Sequence, residues 1–172
     1  MRVWICVVSL ASVLLVACRT TGTPADRSTT LTTAEVATIT EGVRAFASSV
    51  ARDVTSRGPA AWSTYFADEP TFFMAADGQL MFGDRASAAR GIKELEKSIK
   101  QIALTWGDGL RVEPLTPTLA MLATPYHEVM IESSGNRIDS TGYFTGLVER
   151  GPKGWQFRNA HWSEPGPPAP AR

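Results

Sequence analysis

Trp155-Gln156-Phe157-Arg158-Asn159-Ala160-His161-Trp162-Ser163 is the last of four strand-like runs, and those runs decide the fold class. The other three are Leu110 to Leu115, Thr118 to Glu132 and Arg137 to Glu149. Thr-Pro, Ser-Ser-Gly-Asn and Gly-Pro-Lys-Gly separate them, which are turn compositions. Upstream the apolar period changes. Thr32-x-x-Glu35 has the form of a capping box, and Val36, Ile39, Val43, Phe46, Val50 and Val54 follow at helical spacing. The spacing predicts a helix that stops near Arg57, because Gly58 suits a C-terminal cap. Pro59 then suits the first position of a second helix carrying Ala61, Trp62, Tyr65 and Phe66. Thr71 to Ala76 and Gln79 to Phe82 flank Asp77-Gly78, the dipeptide of a tight type I′ hairpin. Asp84 is the expected N-cap of a third helix running through Ile92, Leu95, Ile99 and Ile102. Helices first and a long meander last predict an α+β fold rather than alternating βαβ units. Gly107, Gly109, Pro125, Gly142 and Gly146 are the expected sites of bulges and bends that curve the sheet into a cone.

Outside this region the sequence is of a different kind. Residues 1–17 carry one charge, Arg2, and then an uncharged apolar run from Val3 to Val16, the pattern of a secretory signal. That run is shorter than the ~20 residues a membrane-crossing helix needs. Leu15-Val16-Ala17-Cys18 resembles a bacterial lipobox, which implies cleavage before Cys18 and acylation of its thiol. Residues 18–32 then form a lipidated cysteine with a Thr-rich tether, 33–163 the domain, and 164–172 a Pro-rich tail expected to be disordered. Arg19 follows the lipidated position, as in lipoproteins destined for the outer membrane. The expected location is therefore the bacterial cell envelope, on the periplasmic face of the outer membrane, with the membrane as a partner through Cys18.

Charge and cysteine count narrow the chemistry. Lys and Arg number 17 against 17 Asp and Glu, so no basic excess favours nucleic acid as a partner. The two cysteines are Cys6, which leaves with the signal, and Cys18, which the lipid occupies. A mature chain without a thiol has no disulfide, zinc-thiolate site or cysteine nucleophile. His127 and His161 lie on different strands without metal-ligand spacing, so no metal and no cofactor is expected. No GxSxG elbow, P-loop or dinucleotide fingerprint occurs.

Trp62-x-x-Tyr65-Phe66-Ala67-Asp68-Glu69, Phe72-Phe73, Asp77-Gly78, Gly83 and the run from Gly154 to Ser163 together resemble a SnoaL-like domain of the nuclear transport factor 2-like superfamily. The resemblance covers roughly Thr33 to Ser163. It implies a cone-shaped fold with N-terminal helices packed on a strongly curved, mainly antiparallel sheet. In that superfamily the cavity hosts steroid isomerases, polyketide cyclases, dehydratases, epoxide hydrolases and non-catalytic binding or assembly modules, so the fold fixes no reaction. The carboxylate, Tyr and neutral Asp of the steroid isomerases do not all align here. Among the positions matching the pattern, only His161 has useful titrating chemistry.

Strand alternation over the last run places Trp155, Phe157, Asn159, His161 and Ser163 on one face, expected to be the inner one. His161 is then a candidate general acid/base at the wide end of the cone, or a histidine satisfied at the edge of the core. Trp62, Tyr65, Phe73 and Trp106 are expected to supply apolar wall, Tyr126 or Tyr143 a hydroxyl, and Asn159 and His161 polar contacts. The same aromatic residues also suit plain core packing. Asp77 and Asp139 are the acids expected nearest the cavity rim, Asp77 chiefly as a turn former and Asp139 as an ordinary exposed charge or a carboxylate across the sheet from His161. Three functions stay open: an envelope-anchored binder of a small apolar or amphipathic molecule, an isomerase-, cyclase- or dehydratase-like enzyme using His161, and a non-catalytic homodimeric assembly module. The anchor is directly testable. Cys18→Ser is expected to abolish acylation and release the protein from membranes, read by fractionation and mass spectrometry; a variant that stays on membranes, beside a wild type carrying no lipid, contradicts the lipobox reading.

Overall fold

The computed structural model describes residues 30–68 and 72–166. The signal-like segment, Cys18, most of the tether and the end of the Pro-rich tail lie outside the described residues. Helix α1 spans Thr33–Arg57. Its capping box forms as the sequence predicts: the Thr32 hydroxyl accepts from the Glu35 backbone N–H, and the Glu35 carboxylate accepts from Thr32 N–H at 2.8 Å. Ile39, Val43, Phe46, Ala47, Val50 and Val54 are buried along one stripe, which lays the helix across the concave side of the sheet. Gly58 ends the helix with φ 77°, its N–H donating to the Val54 carbonyl at 2.9 Å. The second helix is shorter than the sequence suggests. Pro59–Ala61 form a 3-10 turn and α2 is the single turn Trp62–Tyr65.

Strands β1 (Phe73–Ala76) and β2 (Gln79–Phe82) form the expected hairpin. Asp77 and Gly78 have φ of 47° and 79°, the paired positive values that a type I′ turn requires. Helix α3 runs over Arg85–Ser98 and is capped by Asp84, whose carboxylate accepts from Ser87 N–H at 2.6 Å. Here the structure corrects the sequence reading, because the helix does not continue to Ile102. Ile99–Trp106 is strand β3, followed by β4 (Arg111–Thr116), β5 (Leu119–Glu132), β6 (Arg137–Gly151) and β7 (Gly154–Ser163). The spacing of Ile99 and Ile102 fits either structure. Pairing with β5 decides it, from Ile99 opposite Glu132 to Trp106 opposite Tyr126.

One sheet contains all seven strands, in the order β2-β1-β7-β6-β5-β3, with β4 paired to the other half of β5. Every pairing is antiparallel except β1 with β7. The β5–β6 ladder is unbroken from Leu119 opposite Glu149 to Ile131 opposite Arg137, so Pro125, Gly142 and Gly146 do not mark the expected bulges. Register shifts fall instead in β1, β3, β4 and between β6 and β7. The last of these matters most. Val148 faces Phe157 while its neighbour Leu147 faces Asn159, so Arg158 is an extra residue in β7. Such a bulge moves the following side chains to the opposite face.

Two polar ties pin α1 to the sheet. The Thr55 hydroxyl accepts from Leu104 N–H at 3.0 Å, and the Trp106 indole N–H donates to the Ala47 carbonyl at 2.7 Å. Next to the Ala47 tie Phe46 meets the Phe157 ring edge-on at 4.9 Å and that of Tyr65 at 5.6 Å. Phe46→Ala would remove these contacts from the middle of the core. It is expected to cost about 3–5 kcal/mol in unfolding free energy, read by denaturant titration; a loss of a few tenths would mean that α1 does not cross the core.

Candidate functional site

The concave face of the sheet and the helices enclose a cavity of about 270 Å³ that is open on one side. Liquid water of that volume is about nine molecules. Each side chain reaches it through strand alternation. From β5 come Tyr126, Glu128 and Met130, and from β6 Ile138, Ser140 and Phe144. On β7 the bulge at Arg158 restarts the alternation: Phe157 faces inward before it, and Ala160 and Trp162 face inward after it. Met74 of β1, Ile92 of α3 and the pair Trp62 and Phe66 complete the wall.

Trp162 is the centre of the aromatic part. Its ring lies 4.6 Å from those of Tyr126 and Phe144 and 5.8 Å from those of Trp62 and Trp106. Three of these contacts are edge-on and the fourth, to Trp106, is stacked, geometries each worth about 0.5–1.5 kcal/mol beyond burial. Gly142 keeps the arrangement possible. A Cβ there would stand 2.0 Å from the Ser163 carbonyl oxygen and 2.8 Å from the Tyr126 ring, so only glycine lets Tyr126 lie against the end of β7.

The polar groups in the lining are few and mostly acidic. Glu128 sits opposite Ser140 in the β5–β6 ladder and is partly buried. Burial, aided by the nearby Glu164 carboxylate, pushes its carboxyl up to about 7. Burial also pushes the Tyr126 hydroxyl up to about 12, with the charges of Glu164, Glu128 and Asp77 acting in the same direction. Asp77 and Glu164 stand at the exposed end. The Asp77 carboxylate accepts from Glu164 N–H at 2.9 Å and its own N–H donates to the Trp162 carbonyl at 3.2 Å, which ties the hairpin tip to the end of β7.

Only Trp62 and Tyr126 of the sequence-derived site residues line this cavity. His161 is exposed on the outer face of the sheet, paired with Ala75 and Thr145, and Asn159 lies on that same face. The expectation that both face inward carried one alternation through ten residues, whereas the bulge reverses it. His161 is therefore not placed to act on a ligand in the cavity. Phe73 and Tyr143 are also outward, 45% and 41% exposed. Tyr65 is buried, but its hydroxyl donates to Asp53 at 2.7 Å and is not a cavity group. Trp106 packs behind Trp162 and is held by Ala47. Asp139, on the outside, accepts from His127 at 2.7 Å and from Arg137 at 2.6 Å. Glu128, Ser140, Trp162 and Glu164 were not among the expected site residues. Extending the alternation two residues from Tyr126 finds Glu128, and the polar pair Arg158-Asn159 between two apolar doublets signals the phase change that turns Trp162 inward.

Among the described residues no group of three or more His, Cys, Asp or Glu side chains is arranged to hold a metal ion. The site's acid/base capacity rests on Glu128, with a measurable consequence for stability. An unfolded glutamate ionises near 4.5, so in this raised case the folded state holds the proton longer. The neutral carboxyl's contribution is fully present below about pH 4.5 and is lost as pH rises to about 7. Glu128→Gln is expected to remove that dependence, leaving the variant more stable than wild type at pH 8 by about 3 kcal/mol and little different at pH 4.5. Denaturant titrations of both proteins at the two pH values check it, and equal differences at both would refute the desolvated carboxyl.

No protein-family model and no curated protein sequence matches the chain. Solved structures do. A nuclear transport factor 2-like superfamily protein from Salmonella enterica serovar Typhimurium is similar with TM-score 0.61 at 17% identity, over 81% of this chain and 97% of that one. A protein of unknown function of the same fold from Shewanella oneidensis gives 0.54 at 16%, over 72% and 98%. A hexachlorocyclohexane dehydrochlorinase, LinA type 2, gives 0.58 at 15%, over 76% and 89%. Identities this low speak to architecture alone. The chain has the nuclear transport factor 2-like fold, with its helices against a curled, mixed seven-stranded sheet.

Proposed function

We propose that this protein binds a small apolar or amphipathic molecule in the cone, at the cell envelope, where a lipid on Cys18 anchors it. One observation carries the reading. The cavity of about 270 Å³ is walled mainly by aromatic and aliphatic side chains, with few polar groups among them. A plain core would fill that space, since protein interiors pack at crystal-like density. Met81, Leu95 and Ile138 leave large apolar side chains exposed at the rim, and a ligand would cover them.

Trp62 and Trp162 in the wall make intrinsic fluorescence the readout. Neopentylbenzene, a neutral probe of suitable size, is expected to change the tryptophan emission saturably. Ser140→Phe, which puts a ring into the cavity from β6, should weaken that binding about tenfold or more, and so should Met74→Trp from β1. Unsaturable behaviour in wild type, or full binding by both folded variants, would remove the cavity as the binding site.

A second reading is proton-transfer catalysis, favoured by Glu128. A carboxyl near 7 in an apolar pocket, two residues along the strand from the Tyr126 hydroxyl, has the protonation balance of a general acid/base. The dehydrochlorinase among the structural neighbours performs an elimination on such a scaffold, though fold likeness transfers no reaction. In this reading Glu128 takes the role the sequence suggested for His161.

A further inference from the structure

We propose that the cavity selects an organic cation, an apolar body carrying an ammonium or similarly diffuse positive charge. The proposal rests on the cavity-binding reading and adds the ligand's charge. Among the described residues the lining holds three carboxylates, Asp77, Glu128 and Glu164, and no lysine, arginine or histidine. Several acids on the outer surface pair with cations: Asp53, Asp68, Glu94, Asp139 and Glu149 each meet an arginine, lysine or histidine, while others such as Glu41 and Glu113 stand in open solvent, which the cavity acid Glu128 does not. Among the described residues none of the three cavity acids pairs with a cation. Their placement is built into the fold, by the ladder position of Glu128 opposite Ser140 and by the hydrogen bond from Glu164 N–H to Asp77.

Like charges around an apolar space oppose one another's ionisation, and a bound positive charge reverses that effect. Among the described residues the three acids are not grouped as the ligands of a metal ion would be; spread around an apolar space, they suit a charge carried on a larger body. The rest of the wall fits such a body. Trp162 has Trp62 at 5.8 Å and Tyr126 at 4.6 Å, and all three rings share the lining with the acids; aromatic walls attract ammonium groups through the ring quadrupole while burying the attached carbon. A neutral hydrocarbon would use the rings and leave the carboxylates without a partner. An anion would meet only repulsion.

Two probes of one shape and different charge decide the matter: benzyltrimethylammonium and neopentylbenzene, titrated into the full-length chain at pH 8 with tryptophan fluorescence and calorimetry. The cation is expected to bind about tenfold tighter or more. Glu128→Gln should bring the two affinities to within about threefold, and Asp77→Asn, which preserves the turn chemistry, should narrow the gap in the same direction. The cation's affinity should also fall between pH 8 and 5.5 as Glu128 takes up its proton. The other titratable groups facing Glu128 are Asp77 and Glu164, together with Tyr126, which stays protonated throughout that range. If neopentylbenzene binds as tightly as the cation and Ser140→Phe still blocks it, the charge selection is wrong and the cavity reading stands. If the cation's advantage survives both Glu128→Gln and Asp77→Asn, these acids do not recognise it and the proposal fails. If neither probe binds, the cavity reading falls and this proposal with it.

Discussion

The extra residue in β7 is the constraint on which the cavity depends. With Val148 opposite Phe157 and Leu147 opposite Asn159, Arg158 has no partner in the ladder, and its side chain instead reaches Glu149 at 3.3 Å. The apolar doublets on either side of it, Trp155 with Phe157 and Ala160 with Trp162, can then both face the concave side. Without the bulge, alternation would turn Ala160 and Trp162 to solvent and bring Asn159 and His161 into an apolar space. A buried amide and imidazole would then need hydrogen-bond partners that such walls do not provide. The bulge keeps one face of a long strand apolar although the sequence changes phase halfway.

With Trp162 inside, the other rings take positions around it. Tyr126 lies edge-on to it at 4.6 Å because Gly142 leaves room, and Trp106 stacks behind it because its indole N–H is held by α1 at Ala47. The aromatic cluster thus joins helix, β5, β6 and β7 while leaving space beyond it. Into that space β5 projects Glu128, and the hairpin tip and the chain after β7 bring Asp77 and Glu164. An isolated carboxyl in such surroundings costs stability when ionised. An acid in this place fits the two proposed roles, moving a proton or meeting a cation, and these differ in which charge state the occupied cavity favours.

Much of the architecture was legible in the chain's periodicity. The Thr32-Glu35 capping box, the buried stripe from Ile39 to Val54, the Asp77-Gly78 turn and the Asp84 cap are short-range features, set by residues three or four positions apart, and the structure holds each of them. Strand β3 was not legible, since Ile99 and Ile102 satisfy a helical spacing and only hydrogen bonding to β5 separates the alternatives. The site was read less well. Trp62 and Tyr126 are legible as large aromatic residues on predicted elements, but the same signal also points to Phe73 and Tyr143, which face outward, and alternation carried through β7 points His161 and Asn159 inward where the bulge turns them out.

By itself the sequence determined what local chemistry can determine: capped helices, a tight hairpin, long strands, and a domain over residues 33–163 that contains no cysteine for chemistry or crosslinking. It also carried the lipobox-like segment, which depends on no fold at all. The tertiary structure decided which face of each strand is inside, because that choice is made by register, and register is a relation between strands distant along the chain. One unpaired residue at Arg158 moved Trp162 into the wall and His161 out of it. The cavity's acidic character follows from the same cause, since Asp77, Glu128 and Glu164 belong to three different segments and acquire a common environment only when the sheet curls.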